Sequence, residues 1–132
     1  MMIFVDSNVF IYAVGRPHPL KAEGQTFFME ASKKGKRLVT SAEVLQELLH
    51  VYLPVGRFET LDAALELATS GTDQILPVTS DTVLHARNLA TTHLSLSARD
   101  LLHLSICQIH NIKEIKTFDR NLGAVFTTRM QM

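Results

Sequence analysis

The stretch IFVDSNVFIY, residues 3–12, sets an aspartate directly behind the apolar run Met2, Ile3, Phe4 and Val5 and turns apolar again two positions later. Continuous apolar runs, as opposed to alternating ones, suit strands covered on both faces and hence a parallel sheet. An aspartate just past such a strand stands at the carboxyl edge of the sheet, where open α/β folds bind their ligands. Taking a carboxylate out of water costs several kcal/mol, on the order of 20 in the idealised limit, unless a partner compensates it. The stretch therefore points to a fold class and raises the question of what compensates Asp6.

Working outward, RLVT (37–40), ILPV (75–78), EIKTF (114–118) and, more weakly, AVFT (124–127) read as further strands. Between them, Leu20, Gly24, Phe27, Phe28 and Ala31 follow helical spacing, as do Val44, Leu45, Leu48, Leu49 and Tyr52, and then Leu61, Ala64, Leu65 and Ala68. Pro54 and Gly56 end one helix, Gly71 suits the cap after the next, and Ser80 can start the one carrying Val83, Ala86 and Ala90. Pro77 cannot donate to a ladder, so the third strand lies at an edge or stops there. The expectation is an α/β three-layer sandwich with a central, mainly parallel sheet of four or five strands and helices on both faces. A chain of 132 residues, 46% hydrophobic, suits a single domain spanning 1–132.

Thirteen basic and thirteen acidic residues cancel, which excludes the global positive field behind non-specific duplex binding. Contact with nucleic acid must be local. Its best candidate run is Lys33, Lys34, Lys36 and Arg37, which equally suits a solvated helix end. No apolar stretch approaches the roughly 20 residues needed to span a bilayer, and the N-terminal run has no basic leader or cleavage site, so a cytoplasmic protein without membrane contact is expected. Cys107 is the single cysteine. It excludes an internal disulfide or a multi-cysteine zinc site and suits a small core residue. The six histidines form no H-E-x-x-H pattern, and His103 and His110 are two turns apart, too far to share an ion along a straight helix. No stacking platform for bases is legible.

Four carboxylates carry the chemistry. Asp6 and Asp119 each follow a strand, and each also suits a helix or turn cap. In TSAEVLQELLHV, Thr40 and Glu43 have capping-box spacing, whereas Glu47, one turn on, lies at the border of the apolar stripe and can reach back toward the strand end. In SARDLLHLSICQIHNI, Ser97 and Asp100 again have capping-box spacing. That helix is apolar almost all round, so it is buried, and an inward carboxylate on it, in line with Leu104 and Cys107, needs compensation beyond its own amides. Four acids at one sheet edge repel unless cations sit between them, and oxygen ligands suit a hard cation, Mg²⁺ or Mn²⁺. Arg16, Arg99 and Arg120 could hold neighbouring phosphates or be plain surface side chains.

Taken together, VDSNVFIYA, the Glu47 helix, SARDLLHLSICQIHNI and IKTFDRNL resemble the four acidic motifs of PIN-domain ribonucleases, particularly the VapC toxins of bacterial and archaeal toxin–antitoxin pairs. The resemblance covers nearly the whole chain, in the family's order. It implies a Mg²⁺- or Mn²⁺-dependent endoribonuclease acting on single-stranded or structured RNA, a homodimer, and a cognate antitoxin that inserts a peptide near the acidic pocket. Carried over residue by residue, Asp6, Glu47, Asp100 and Asp119 are the catalytic acids, with Asp6, Asp100 and Asp119 on the metal. Ser7 and Asn8 support Asp6, and Thr117 orients the site beside Asp119. The segment after Asp119 is short, a departure that bears on the C-terminal architecture and the RNA groove. A dehalogenase-type phosphatase wants a second aspartate where Asn8 stands, and a receiver domain wants an acid pair after the first strand. The remaining alternative is a catalytically weak RNA- or partner-binding module whose acids hold a structural ion.

Overall fold

The computed structural model describes residues 2–131, with side chains as far as residue 127. The chain runs β1 (Met2–Val5), α1 (Ser7–Val14), α2 (Pro19–Lys33), β2 (Arg37–Ser41), α3 (Ala42–Tyr52), a 3-10 turn (Leu53–Val55), α4 (Phe58–Ser70), β3 (Gln74–Leu76), α5 (Ser80–Leu89), α6 (Ala98–Ile109), β4 (Glu114–Lys116) and α7 (Arg120–Gln131). The four strands form one parallel sheet in the order β3-β2-β1-β4, with Phe4 opposite Val39 on one side and Ile115 on the other. The chain thus leaves β1 toward β2 and β3, then returns to add β4 on the far side. The reversal falls between β1 and β4, the position at which such sheets open a crevice beyond their carboxyl ends.

Phe4 and Val5 are consecutive, point to opposite faces and are both fully buried, so both faces of β1 are covered. The core around them draws Val9 and Phe10 from α1, Leu48 from α3, Leu104 and Ile106 from α6 and Leu122 from α7. Cys107 is buried among them, as expected of a core residue. Among the described residues, no helix is long and apolar enough to cross a membrane. As Pro77 foretold, β3 is an edge strand and ends at Leu76.

Three local expectations are corrected. Residues 124–127 form no fifth strand but lie inside α7. A short apolar run cannot separate strand from buried helix by itself. Asp119 Oδ1 accepts from the Asn121 and Leu122 amides, at 2.9 and 3.2 Å, and this cap starts a helix that buries Leu122 and Phe126 one turn apart. The fourth strand stops at Lys116, because Thr117 and Phe118 turn out of the sheet into side-chain bonds with the loop of residue 6 and with α1. The cap of α3 is Ser41, whose hydroxyl accepts from Val44 N–H at 3.2 Å, and not Thr40. Gly71 does close α4, though with a right-handed φ of −87°. The need for glycine there is space, since a Cβ would come within 2.5 Å of the Leu67 carbonyl oxygen.

Thr40, freed from capping, stays in β2 fully buried and donates its hydroxyl to the Val5 carbonyl at 2.9 Å, tying the end of β1 to its neighbour. Thr40→Val keeps the shape and deletes the bond, so urea unfolding should show a loss of about 1 kcal/mol.

Candidate active site

Because the strands are parallel, Val5, Ser41 and Lys116 all end at the same edge. Asp6 stands there as the cap of α1, 4% exposed, with its amide bonded to the Lys116 carbonyl at 3.0 Å. Its Oδ1 accepts from Ser7 N–H at 2.7 Å and its Oδ2 from the Thr117 hydroxyl at 2.7 Å. Oδ1 also faces the Ser7 hydroxyl at 3.4 Å, and Oδ2 keeps a further lone pair beyond its Thr117 bond.

The Thr117 hydroxyl is fully used. It gives its one proton to Asp6 and accepts from Asn8 Nδ2 at 3.3 Å and from the Asp119 amide at 3.0 Å. Asn8 closes the ring through its Oδ1, which accepts from Phe118 N–H at 3.2 Å. These bonds lock the loop after β4 against the start of α1 and set Asp119 beside Asp6. Asp119 spends Oδ1 on capping α7, which leaves Oδ2 on the other side of its carboxylate.

Glu47, on α3, is 5% exposed, deeper than the border of the apolar stripe on which its spacing placed it. Its Oε2 accepts from the Ser7 hydroxyl, and its Oε1 lies 3.0 Å from Nε2 of His103. His103, from α6, is fully buried against the Phe4 ring, with the same Nε2 3.4 Å from Asp6 Oδ1. Burial works against ionisation of Glu47, yet the hydrogen bond and charge of His103, the Ser7 hydroxyl and the Arg99 charge outweigh it and hold the carboxyl below its ordinary range. Burial likewise works against the imidazolium, but the Glu47 hydrogen bond and the charges of Asp6, Glu47 and Asp100 prevail and hold His103 above its ordinary value. The other ring nitrogen, Nδ1, has no partner among the described residues.

Asp100 sits in the first turn of α6, its amide donating to the Ser97 hydroxyl at 3.2 Å as the capping spacing foretold. Burial, then the charges of Asp119 and Asp6, push its carboxyl up against the opposing pull of His103 and Ser97. That mutual influence brings Asp6, Asp100 and Asp119 into one electrostatic cluster, with Glu47 joined to it through Ser7 and His103. Burial and the Glu47 charge push Glu43 up in the same way. Clustered carboxylates aimed by hydrogen bonds from neighbouring hydroxyls and amides offer oxygen donors of the kind that suit a hard divalent cation. Among the described residues, Asp6, Glu47 and His103 also bring ligand atoms within 4.8 Å of one another, a set that adds an imidazole nitrogen to the oxygens.

Of the candidate cations, Arg99 is exposed at the start of α6 with its charge acting on Glu43 and Glu47, while Arg16 and Arg120 are exposed in the α1–α2 loop and at the start of α7. The run Lys33, Lys34, Lys36 and Arg37 lies at the amino end of β2, roughly 13 Å of strand away from the acidic edge. The residue missed by sequence reasoning is His103. Weighed against His110 it looked bland, yet it stands three positions after Asp100, on the same face of α6.

A pKa raised by folding contributes stability that is present below the ordinary value, about 6.5 for histidine, and lost as pH rises through the folded-state value. Glu47, lowered, contributes above the ordinary carboxylate range and loses its contribution on acidification. Urea unfolding of the metal-free protein should therefore show greater stability at about pH 6 than at pH 8, and His103→Gln should flatten that alkaline decline.

The comparisons with known proteins agree with the motifs. The PIN domain family model matches residues 3–125. Ribonuclease VapC23 of Mycobacterium tuberculosis is 53% identical over 125 residues, spanning 95% of this chain and 98% of its own. Ribonuclease VapC13 of the same organism is 41% identical over 123 residues, spanning 93% of this chain and 94% of its own. The crystal structure of M. tuberculosis VapC20, described as a sarcin-ricin loop cleaving toxin, superposes with a TM-score of 0.78 over 93% of this chain and 94% of that one, at 18% identity, and so shares the fold. The chain belongs to the PIN-domain family and, within it, to the VapC-type ribonucleases.

Proposed function

We propose that this chain is a Mg²⁺- or Mn²⁺-dependent endoribonuclease that hydrolyses phosphodiester bonds of RNA in the cytoplasm, as the toxin of a VapBC-type pair, with Asp6, Glu47, Asp100 and Asp119 as its acids. The observation that carries the reading is the convergence of Asp6, Glu47 and His103, with ligand atoms within 4.8 Å of one another, at the reversal point of a parallel sheet, where the charges of Asp6 and Asp119 also bear on Asp100. The relatives named ribonuclease support the substrate class.

In this reading Asp6, Asp100 and Asp119 hold the metal. A divalent ion there supplies positive charge against the phosphoryl oxygens and acidifies water. In the reaction the water oxygen bonds to phosphorus, the ester P–O bond breaks, and the leaving oxygen takes up a proton. Thr117, Asn8 and Ser7 keep the Asp6 oxygens aimed and the Asp119 backbone fixed, so little reorganisation is needed when charge develops. Glu47, with one oxygen on Ser7 and the other on His103, acts by holding these two neighbours in place. Arg99, Arg120 and Arg16 meet flanking phosphates, which an otherwise acidic pocket repels.

A cognate antitoxin and a second copy of the chain complete the proposal. The exposed apolar side chains Leu53, Val55 and Phe58 between α3 and α4, and Val83, Leu84 and Ile109 on α5 and α6, offer faces for them.

Incubation with mixed RNA should give cleavage with Mg²⁺ or Mn²⁺ and none with chelator. Asp100→Asn should lower the rate by about 100-fold or more while raising the melting temperature of the metal-free protein, because it removes a repelled charge. RNA binding without metal-dependent cleavage would replace hydrolysis by the binding-module reading. Thr117→Val should cost roughly 10- to 100-fold in activity with the fold intact.

A further inference from the structure

Beside the acidic cluster the fold assembles three rings that are far apart in sequence. Tyr12 lies one turn beyond Asn8 on α1, its ring edge-on to Phe118 with centroids 5.6 Å apart. His18 also lies against Tyr12, with ring centroids 4.7 Å apart and planes inclined at 37°. Tyr12 and Phe118 are half-buried, and His18 is exposed. Phe118 is the residue between Thr117 and Asp119, and its amide is held by Asn8. The rings thus continue outward from the same hydrogen-bond network that fixes Asp6.

Their placement is built. His18 caps α2: its Nδ1 accepts from Leu20 N–H at 3.1 Å, with Pro19 in the first turn. This bond fixes the ring's orientation and puts its proton on the outer nitrogen, Nε2. The loop that carries it is tied down by Lys21, whose Nζ donates to the Gly15 carbonyl at 2.7 Å. Arg16 is exposed in that loop, and the Lys116 ammonium lies 5.1 Å from the Phe118 ring centroid. Of the other close ring pairs, Phe4 with His103 and Phe10 with Phe28 involve a fully buried core ring, while Phe27 and Phe28 are two half-buried rings on α2.

Resting on the ribonuclease reading, we propose that Tyr12, His18 and Phe118 form a stacking platform for an unpaired base of the RNA strand next to the scissile phosphate. Every base has a π-face, so such a platform supplies affinity and register without selecting a sequence, and cations beside it hold the backbone. Bases reach it when splayed out of a helix, so the platform selects loops and single strands over duplex. The rings stand ordered before the substrate arrives, which reduces the entropy lost on binding.

The test uses His18→Asn, which keeps a side-chain acceptor for the Leu20 amide and deletes the ring, together with Tyr12→Leu. A mixed-sequence single-stranded RNA dodecamer serves as the probe. Its Kd is read on an Asp100→Asn background and its KM on the active chain, and the dodecamer is also made with each nucleotide in turn abasic. We expect His18→Asn to leave the melting temperature unchanged and to raise Kd and KM about tenfold. That loss should vanish for the dodecamer abasic at one particular position, because base and ring act as a pair. Unchanged Kd and KM in His18→Asn overturn the platform, as does a loss that persists at every abasic position. Weakened antitoxin binding with RNA affinity intact also overturns it and makes the rings a protein-docking face. If the unaltered chain cleaves RNA while these arms fail, the platform alone falls. If it neither binds nor cleaves RNA, the ribonuclease reading falls with it.

Discussion

The Thr117 hydroxyl has one proton and two lone pairs, and all three go to neighbours, two at the start of α1 and one in its own turn, so the site stands or falls as a unit. Asp6 receives the proton, Asn8 supplies one donor, and the Asp119 amide supplies the other. Without that hydroxyl, a buried carboxylate oxygen loses its partner and two donors lose their acceptor, each an expensive loss away from water. The constraint reaches into the fold, since the same turn that aims Thr117 ends β4 and starts α7.

Charge sets the second constraint. Several acids converge where the sheet opens, and folding has set one imidazole, His103, between two of them. Burial disfavours its protonation, and the surrounding carboxylates favour it. Asp100 lies outside the direct reach of that imidazole's hydrogen bond and carries the residual repulsion.

Much of this was legible in the sequence. The apolar runs gave the strands because a parallel sheet buried on both faces leaves no alternation to misread, and Asp6 and Asp119 stood out by following them. The misreading at 124–127 came from the same rule. AVFT has strand-like composition, and the cap that makes it helical is Asp119. Thr40 and Ser41 are adjacent hydroxyl residues, and which of them caps α3 is decided by the pairing of β2 with β1, a non-local fact. His103 and the cluster of Tyr12, His18 and Phe118 were invisible for a related reason: their meaning lies in who packs against them.

Both edges of the sheet are short. Strands β3 and β4 have three residues each; the first is closed by Pro77 and the second by the turn at Thr117. Edges of that length give an incoming strand almost nothing to pair with. Partners of this protein must therefore attach through helical faces or by filling the crevice, and lateral growth into fibres by sheet extension is blocked by the architecture.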